Sequence, residues 1–112
     1  MKGYIYETTN LVNGKKYIGK HQATEFEGNK YLGSGMVLKS AINKYGKENF
    51  EVEMLESCNS VRKINNREKY WIEERDAVNS DSYYNIANGG QGKPTNDSET
   101  IINSIINFIR GK

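Results

Sequence analysis

Glu68 is the residue whose position in this sequence points most directly to chemistry. It follows Ile64 by four residues and precedes Trp71 and Ile72 by three and four, so it lies on the apolar stripe of a predicted helix. A carboxylate in that position must be paired, hydrogen-bonded or bound to a cation, because an isolated buried charge is too costly. A salt bridge to a nearby lysine or arginine, or a place at the rim of the stripe, is the alternative to a cation site.

Two phenols form the second candidate group. The segments Tyr4-Ile5-Tyr6 and Tyr17-Ile18-Gly19 have the composition of strands, and between them stands Asn13-Gly14, the strongest short-range hairpin signal. The pattern predicts strands over residues 3–9 and 15–20. In the register that we expect, Tyr6 pairs with Tyr17, Ile5 with Ile18, and Tyr4 with Gly19.

Strand side chains alternate between faces, so this hairpin would send its isoleucines to one side and its tyrosines to the other. The isoleucine face would then belong to the core, and the other face would be a polar aromatic surface on which Tyr6 and Tyr17 meet. His21 would lie on this second face as well, because it stands an even number of positions after Tyr17. A phenol has an ordinary pKa near 10 and acts as a base only if cations lower it. An ordinary cross-strand aromatic pair is the structural alternative.

Two helices and a third strand must position these residues. Ser34 can cap a helix over residues 35–45, which Gly46 ends. Apolar and polar residues alternate over residues 49–56, which predicts a strand with one face exposed to solvent. Ser60 can cap a second helix that extends to about residue 75. The apolar residues that we expect to face inward are Leu38, Ala41, Ile42 and Tyr45 on the first helix, Phe50, Val52 and Met54 on the strand, and Val61, Ile64, Trp71 and Ile72 on the second helix.

The order β-β-α-β-α predicts an α/β (α+β) fold in which a small three-stranded antiparallel sheet is flanked by helices. Residues 76–98 are rich in turn formers, and a final helix with Ile101, Ile105, Ile106 and Ile109 begins near Ser98. We therefore expect one domain over residues 1–92 and a helical tail over residues 93–112. An amphipathic helix that docks on the core or dimerises explains the tail from its pattern alone.

The charge of the chain is unevenly distributed. The net charge is +2, but residues 1–47 carry eight lysines against three glutamates, a net +5, whereas residues 48–81 carry a net −4. The half that holds the tyrosines is thus the basic half, which suits phosphate contact, although a solvated lysine surface has the same composition.

No apolar run approaches about 18 residues, and no signal peptide is recognisable, so we expect a soluble intracellular protein with no membrane partner. The lone Cys58 excludes an internal disulfide and reads as a partly buried small residue.

Four sequence elements in this order resemble the GIY-YIG nuclease superfamily. They are the two tyrosine segments, the run Arg67-Glu68-Lys69-Tyr70-Trp71-Ile72, and Tyr84-Asn85-Ile86. The stretch from Tyr31 to Gly35, Tyr-Leu-Gly-Ser-Gly, is similar to one that phage-encoded homing endonucleases often share. The likeness covers roughly residues 3–92. One departure is Tyr4, which stands where the family places a glycine.

The resemblance implies a metal-dependent endonuclease that hydrolyses phosphodiester bonds in DNA. Glu68 would hold Mg²⁺ or Mn²⁺, together with phosphate oxygens and water. One of the phenols of Tyr6 and Tyr17 would relay a proton, and the other would orient the nucleophile. Asn85 would tie the turn-rich segment to the site, although an asparagine that simply closes a turn is the alternative. Nearby Lys16 and Lys20 could bind phosphate and lower a phenol's pKa.

The main departure from the family concerns an arginine. Members of the superfamily place an arginine on the first helix, whereas this chain has none before Arg62 and offers Lys39 and Lys44 instead. We expect His21 to take part of the missing role, by holding the scissile phosphate or by acting as acid or base. Lys39 is a second candidate for the cation that stabilises the transition state.

Two other classes of function stay open. A domain of the same fold could hold DNA without cutting it, which the missing arginine makes plausible, or the tyrosine face and the isoleucine-rich tail could be protein contacts.

If the chain is a nuclease, its one site would nick one strand of DNA, and we expect the chain to act as a monomer or as a transient dimer on DNA. The resemblance also makes residues 93–112 a candidate degenerate DNA-contacting module, and it suggests the cytoplasm of bacteria or of phage-infected cells.

Overall fold

The computed structural model of the chain describes residues 1–86. Three strands and two helices follow one another as β1 (Gly3–Asn10), β2 (Lys16–His21), α1 (Met36–Tyr45), β3 (Phe50–Cys58) and α2 (Val61–Glu74). The strands form one antiparallel sheet in the order β2-β1-β3. The predicted fold class and element order are confirmed. The expected tail over residues 93–112 and its final helix lie outside the described residues.

The hairpin of β1 and β2 forms, but the expected register is wrong by two residues. Tyr6 lies opposite Gly19, and Tyr17 lies opposite Thr8. The reason is the loop: the Asn10 N–H donates to the Lys15 carbonyl at 2.8 Å and closes a four-residue connection, and Gly14 takes the positive φ of +80°. In this register Tyr4 pairs with His21, and Ile5 pairs with Lys20.

A shift of two residues leaves the alternation of the side chains intact, so the predicted division into two faces survives. Ile5 and Ile18 are fully buried on the face that α2 covers, in a cluster with Cys58, Ile64, Ile72 and Ala77. α2 starts as predicted, because the Ser60 side chain accepts a hydrogen bond from the Lys63 N–H at 3.2 Å. Val61 departs from the predicted stripe and is half exposed.

The expected polar aromatic surface is wrong, because the tyrosine face is a second core. Tyr4 and Tyr6 are 0% and 1% exposed. The segment between β2 and α1 covers them, with the rings of Phe26 and Tyr31 edge-on to those of Tyr4 and Tyr6. Beside them α1 packs in a cluster of Val37, Leu38, Ala41, Phe50 and Tyr84. α1 begins after Gly35 without a side-chain cap, so the predicted cap at Ser34 is also wrong.

A β-bulge interrupts the alternation of β3. Ile5 pairs with Glu56 and Tyr6 with Met54, which leaves Leu55 as the extra residue. Leu55 packs against the core under α2. Met54, predicted to face inward, lies opposite Tyr6 but is 39% exposed. Within residues 1–86, no helix has both the length and the apolar character that a membrane span requires.

Candidate active site

A cleft opens at the edge of the sheet, where β2 has no further strand beside it. Five of its polar side chains are those of Tyr6, Tyr17, Lys20, Glu68 and Asn85, and the other two are those of Ser34 and Tyr84. The residues at the start of α1, from Ser34 to Met36, form one wall, and residues 84–86 form another. Four different parts of the chain thus meet here, and three of the five polar residues named first belong to the β1–β2 hairpin. The sequence analysis names all five as site residues.

Glu68 lies on α2 between Ile64 and Ile72 and is buried, as its spacing predicts. Its carboxylate is 4.0 Å from the Lys20 Nζ, which also donates to the Asn65 side-chain oxygen. The salt bridge considered as an alternative is therefore present, and it is long for an ion pair. The same contact places an ammonium group and a carboxylate side by side in the cleft, where the ammonium can bind an anion and the carboxylate can bind a cation.

Two glycines allow the phenols to reach the cleft. A side chain at Gly19 would overlap the hydroxyl and ring of Tyr6, which lies across the strand pair, and a Cβ at Gly35 would be 2.6 Å from Tyr17 Cε1. Neither position tolerates a larger residue without movement of a ring. The Tyr6 and Tyr17 rings consequently approach to 6.2 Å between centroids. The glycine of Tyr17-Ile18-Gly19 therefore has a steric role that strand periodicity does not show.

Both phenols are protonated at neutral pH in this environment. Burial raises the pKa of Tyr6 far above its ordinary value of 10, and the nearby Tyr17, Tyr31 and Glu68 act in the same direction. Burial and the Glu68 carboxylate likewise raise the pKa of Tyr17. Each hydroxyl can therefore donate a hydrogen bond but cannot serve as a base by itself. A cation bound at Glu68 would remove that carboxylate's contribution to both shifts.

Tyr31 is a contact residue of Tyr6 that the sequence analysis noted only as part of a family stretch. A hydrogen bond joins the side chains of Tyr6 and Tyr31, and it raises the pKa of Tyr6 after the larger effects of burial and charge. The other face of Tyr31 stacks on His21, with ring centroids 3.7 Å apart and an interplanar angle of 12°. The position of this tyrosine before a helix gave no signal of that stack.

His21 lies on the tyrosine face, where strand parity predicts it, but it is not among the residues that line the cleft. Its Nε2 is 3.3 Å from a Glu27 carboxylate oxygen, and its ring is edge-on to Tyr4. It borders a neighbouring depression instead, together with Lys20. The predicted contact of His21 with the scissile phosphate stays a prediction, and the stack on Tyr31 favours an indirect role.

Lys16 and Lys39 do not line the cleft either. The Lys16 Nζ donates to the Thr9 hydroxyl at 3.1 Å and is 3.9 Å from a Glu7 carboxylate oxygen. Lys39 is exposed in the first turn of α1. Their predicted phosphate contacts stay predictions.

Asn85 completes the exposed edge of β2. Its amide N–H donates to the Ile18 carbonyl at 2.8 Å, and its side-chain oxygen accepts from the Ile18 N–H at 3.0 Å. The Tyr84 N–H donates to the Lys16 carbonyl at 2.7 Å, so the backbone adds to the same contact. One side chain thereby imitates a paired strand residue. Asn85 ties its segment to the cleft, where the sequence analysis places it, and its part in catalysis stays a prediction.

The donor set of the cleft limits how a metal could bind. Glu68 is the one carboxylate among the residues that line it. No group of three or more histidine, cysteine, aspartate or glutamate side chains with the geometry of a metal site occurs in residues 1–86. A hard cation that keeps most of its water and uses substrate oxygens fits such a site, whereas a cation that needs a complete protein shell does not.

The sheet of three strands, its two helices and the edge cleft define a small α+β domain of the nuclease class that the sequence resembles. Residues 1–87 match the family model described as "Putative endonuclease segE, GIY-YIG domain". The chain belongs to this GIY-YIG family.

Relatives and solved structures agree with this assignment. The chain is 43% identical over 96 residues to the segE protein of Enterobacteria phage T4, which covers 82% of this chain and 44% of that protein. It is 38% identical to "Endonuclease segA" of the same phage over 80% of this chain and 39% of that protein. The chain therefore spans less than half the length of these relatives.

The catalytic domain of the homing endonuclease I-TevI has a similar structure. It superposes with a TM-score of 0.58 at 31% identity, over 77% of this chain and 99% of that domain. A mutant form of the same catalytic domain gives a TM-score of 0.60 at 29% identity, over 80% of this chain and 97% of that one.

Proposed function

We propose that this chain is a catalytic domain that hydrolyses phosphodiester bonds in DNA with the help of a divalent cation and nicks one strand per site. The observation that carries the proposal is the buried Glu68 carboxylate, which shares a cleft with Lys20, Tyr6 and Tyr17. A nuclease needs positive charge for the phosphate, a cation ligand and groups that orient water, and this set contains one of each kind. The relatives in phage T4 are named as endonucleases.

Mg²⁺ or Mn²⁺ fits the single carboxylate. Glu68 would hold the ion on the protein side, and substrate phosphate oxygens and water would complete its shell. When bound, such an ion polarises the phosphate and stabilises the charge that develops on its oxygens. The protein supplies the fixed position of the carboxylate, because α2 packs Ile64 and Ile72 into the core on either side of Glu68.

The two phenols then have different tasks. Tyr17 is partly exposed at the cleft, so its hydroxyl can donate to a phosphate oxygen or to the attacking water. Tyr6 is 1% exposed and is hydrogen-bonded to Tyr31, so it forms the wall of the cleft and holds Tyr31 in position. Lys20 contributes positive charge beside Glu68. This division makes Tyr17 the phenol that touches substrate.

His21 and Asn85 act through other residues in this proposal. His21 supports Tyr31 by stacking, and Tyr31 in turn is hydrogen-bonded to Tyr6. Asn85 fixes Ile18, the residue between Tyr17 and Gly19, and so holds the edge strand straight at the cleft. Lys39 and Lys16 lie farther out, where they could contact neighbouring phosphates of the DNA.

Nicking of supercoiled plasmid DNA tests the proposal. We expect the wild-type chain to produce open circles with Mg²⁺ or Mn²⁺ and none with a chelator. Glu68→Gln, which keeps the size of the side chain, should lower the rate by at least about 100-fold, within the range that one catalytic group contributes. Glu73→Ala, an exposed glutamate of the same helix, should cut at the wild-type rate.

Two results would contradict the proposal in different ways. Cutting that continues in chelator, or that Glu68→Gln leaves unchanged, would place the chemistry elsewhere. Retention of DNA without cutting by the wild type would mean that the domain binds DNA only, and that its lysines do not replace the arginine that the first helix lacks.

A further inference from the structure

A second depression lies beside the cleft, between the end of β2 and the first two turns of α2. It has a volume of about 430 Å³ and is bordered by Lys20, His21, Gln22, Val61, Ile64 and Asn65. Its floor is apolar, with Val61 half exposed, and its rim carries amide and ammonium donors. An apolar floor with a few donors at the rim is the usual character of a ligand site.

Helical geometry makes this depression a continuation of the cleft. Val61, Asn65, Glu68 and Ile72 follow one another at i, i+4, i+7 and i+11, so they form one row along α2. The last two residues of the row line the cleft, and the first two line the depression. Lys20 borders both and bonds to Asn65 between them. A single groove therefore runs along this side of the helix.

The charge of the depression suits an anion. Lys20 borders it, and no acidic side chain is among the residues that line it. The rise of an α-helix places Val61 roughly 10 Å from Glu68, and a strand of DNA advances about 3.4 Å per phosphate along its axis. The groove thus spans about three nucleotides, counted from the carboxylate of the cleft.

We infer that this depression is a subsite that binds the nucleotide next to the scissile phosphodiester in DNA. The inference rests on the proposed function, because it takes the cleft as the place of cleavage. Lys20 would meet the phosphate between the two positions, Val61 would meet the sugar or base above the buried Ile64, and Gln22 and Asn65 would offer hydrogen bonds. The sequence pattern indicated no binding role for Val61, Gln22 or Asn65.

Val61→Glu tests the subsite by placing a negative charge on its floor. The position is half exposed in the first turn of α2, where an acidic residue favours the helix, so the fold should persist. Asn66→Glu is the matched control, since it makes the same change of charge at an exposed position of the same helix outside the depression. Binding of a fluorescent duplex is measured by anisotropy in chelator, at several salt concentrations, and plasmid nicking is measured in parallel.

We expect Val61→Glu to weaken DNA binding at least fivefold and Asn66→Glu less than twofold. The slope of log K against log salt should also fall by about one in Val61→Glu, because the new carboxylate would offset the contact that Lys20 makes with a phosphate. Equal effects of the two variants would overturn the subsite and leave only a general effect of net charge. If the wild type nicks plasmid and both variants bind equally well, only the subsite fails. If the wild type neither binds nor nicks, the proposed function fails with it.

Discussion

At the scale of single residues, the site depends on small side chains as much as on reactive ones. Gly19 and Gly35 make room for the rings of Tyr6 and Tyr17, and each would overlap a phenol if it carried a Cβ. Glu68 could be found from sequence because a carboxylate on an apolar helical stripe conflicts with the pattern around it. Tyr31 could not, because its contacts with Tyr6 and His21 join residues distant in sequence through a loop without periodicity.

Tyr31→Phe separates the two contacts of this residue. The ring and its stack on His21 remain, but the hydrogen bond between Tyr6 and Tyr31 is lost, which should lower the free energy of unfolding by about 1 kcal/mol. We expect single-turnover cleavage to slow as well, since Tyr6 loses the partner that holds its hydroxyl. Urea denaturation and single-turnover kinetics measure the two effects.

The companion variant is Tyr31→Leu, which removes the hydroxyl and the stack together. It should be worse than Tyr31→Phe in both measurements. Wild-type kinetics in Tyr31→Phe combined with slow cleavage in Tyr31→Leu would show that the site requires the aromatic ring, which stacks on His21 and contacts Tyr6, and not the hydroxyl.

At the scale of elements, alternation in the sequence decides which face a residue takes but not which residue it meets. The hairpin keeps its predicted faces although its register differs by two residues, because an even shift preserves parity. The loop geometry at Gly14 and the bulge at Leu55 depend on hydrogen bonds between strands, so neither follows from the composition of one strand. The same limit applies to the tyrosine face, whose cover comes from a loop and from α1.

Asn85 tests how an element at the edge of the sheet is held. Asn85→Ala removes both hydrogen bonds to Ile18, and we expect a loss of about 1–3 kcal/mol of stability because Asn85 is buried and its partners lose theirs. Hydrogen exchange of the Ile18 amide should accelerate more than that of amides in the β1–β3 pair. Asn79→Ala, an exposed asparagine that bonds to Asp76, should leave the exchange of Ile18 unchanged. Unaltered exchange in Asn85→Ala would mean that the backbone of residues 82–84 suffices to hold this edge.

At the scale of the whole molecule, the domain uses both faces of a three-stranded sheet as core. One face is aliphatic, under α2, and the other is built from tyrosines, under α1 and the preceding loop. A core rich in phenols brings polar hydroxyls into a dry environment, where each keeps its proton. The architecture was predictable from the order of the elements, whereas the burial of the tyrosine face was not, because tyrosine is common on surfaces as well as in cores.

The buried phenols predict how the stability of the domain depends on pH. Burial raises the pKa of Tyr6 and of Tyr17 above the value of about 10 that they have in the unfolded chain. A group with a raised pKa contributes its stability fully below the unfolded value and loses it as pH rises above that value. Each of the two phenols should therefore lower the free energy of unfolding by up to about 1.4 kcal/mol for every pH unit above 10.

Urea denaturation from pH 7 to 11 measures this dependence. In Tyr17→Phe, the free energy of unfolding should fall less steeply above pH 10, because the contribution of one phenol is missing. The comparison of slopes remains valid even if the substitution itself changes stability at neutral pH. Tyr70→Phe is the control, because Tyr70 is 43% exposed and its loss should leave the slope as in the wild type. If Tyr17→Phe declined as steeply as the wild type, the Tyr17 hydroxyl would have to be hydrated in the free protein. Such a hydroxyl could ionise at the cleft, and Tyr17 would then be a candidate base and not only a hydrogen-bond donor.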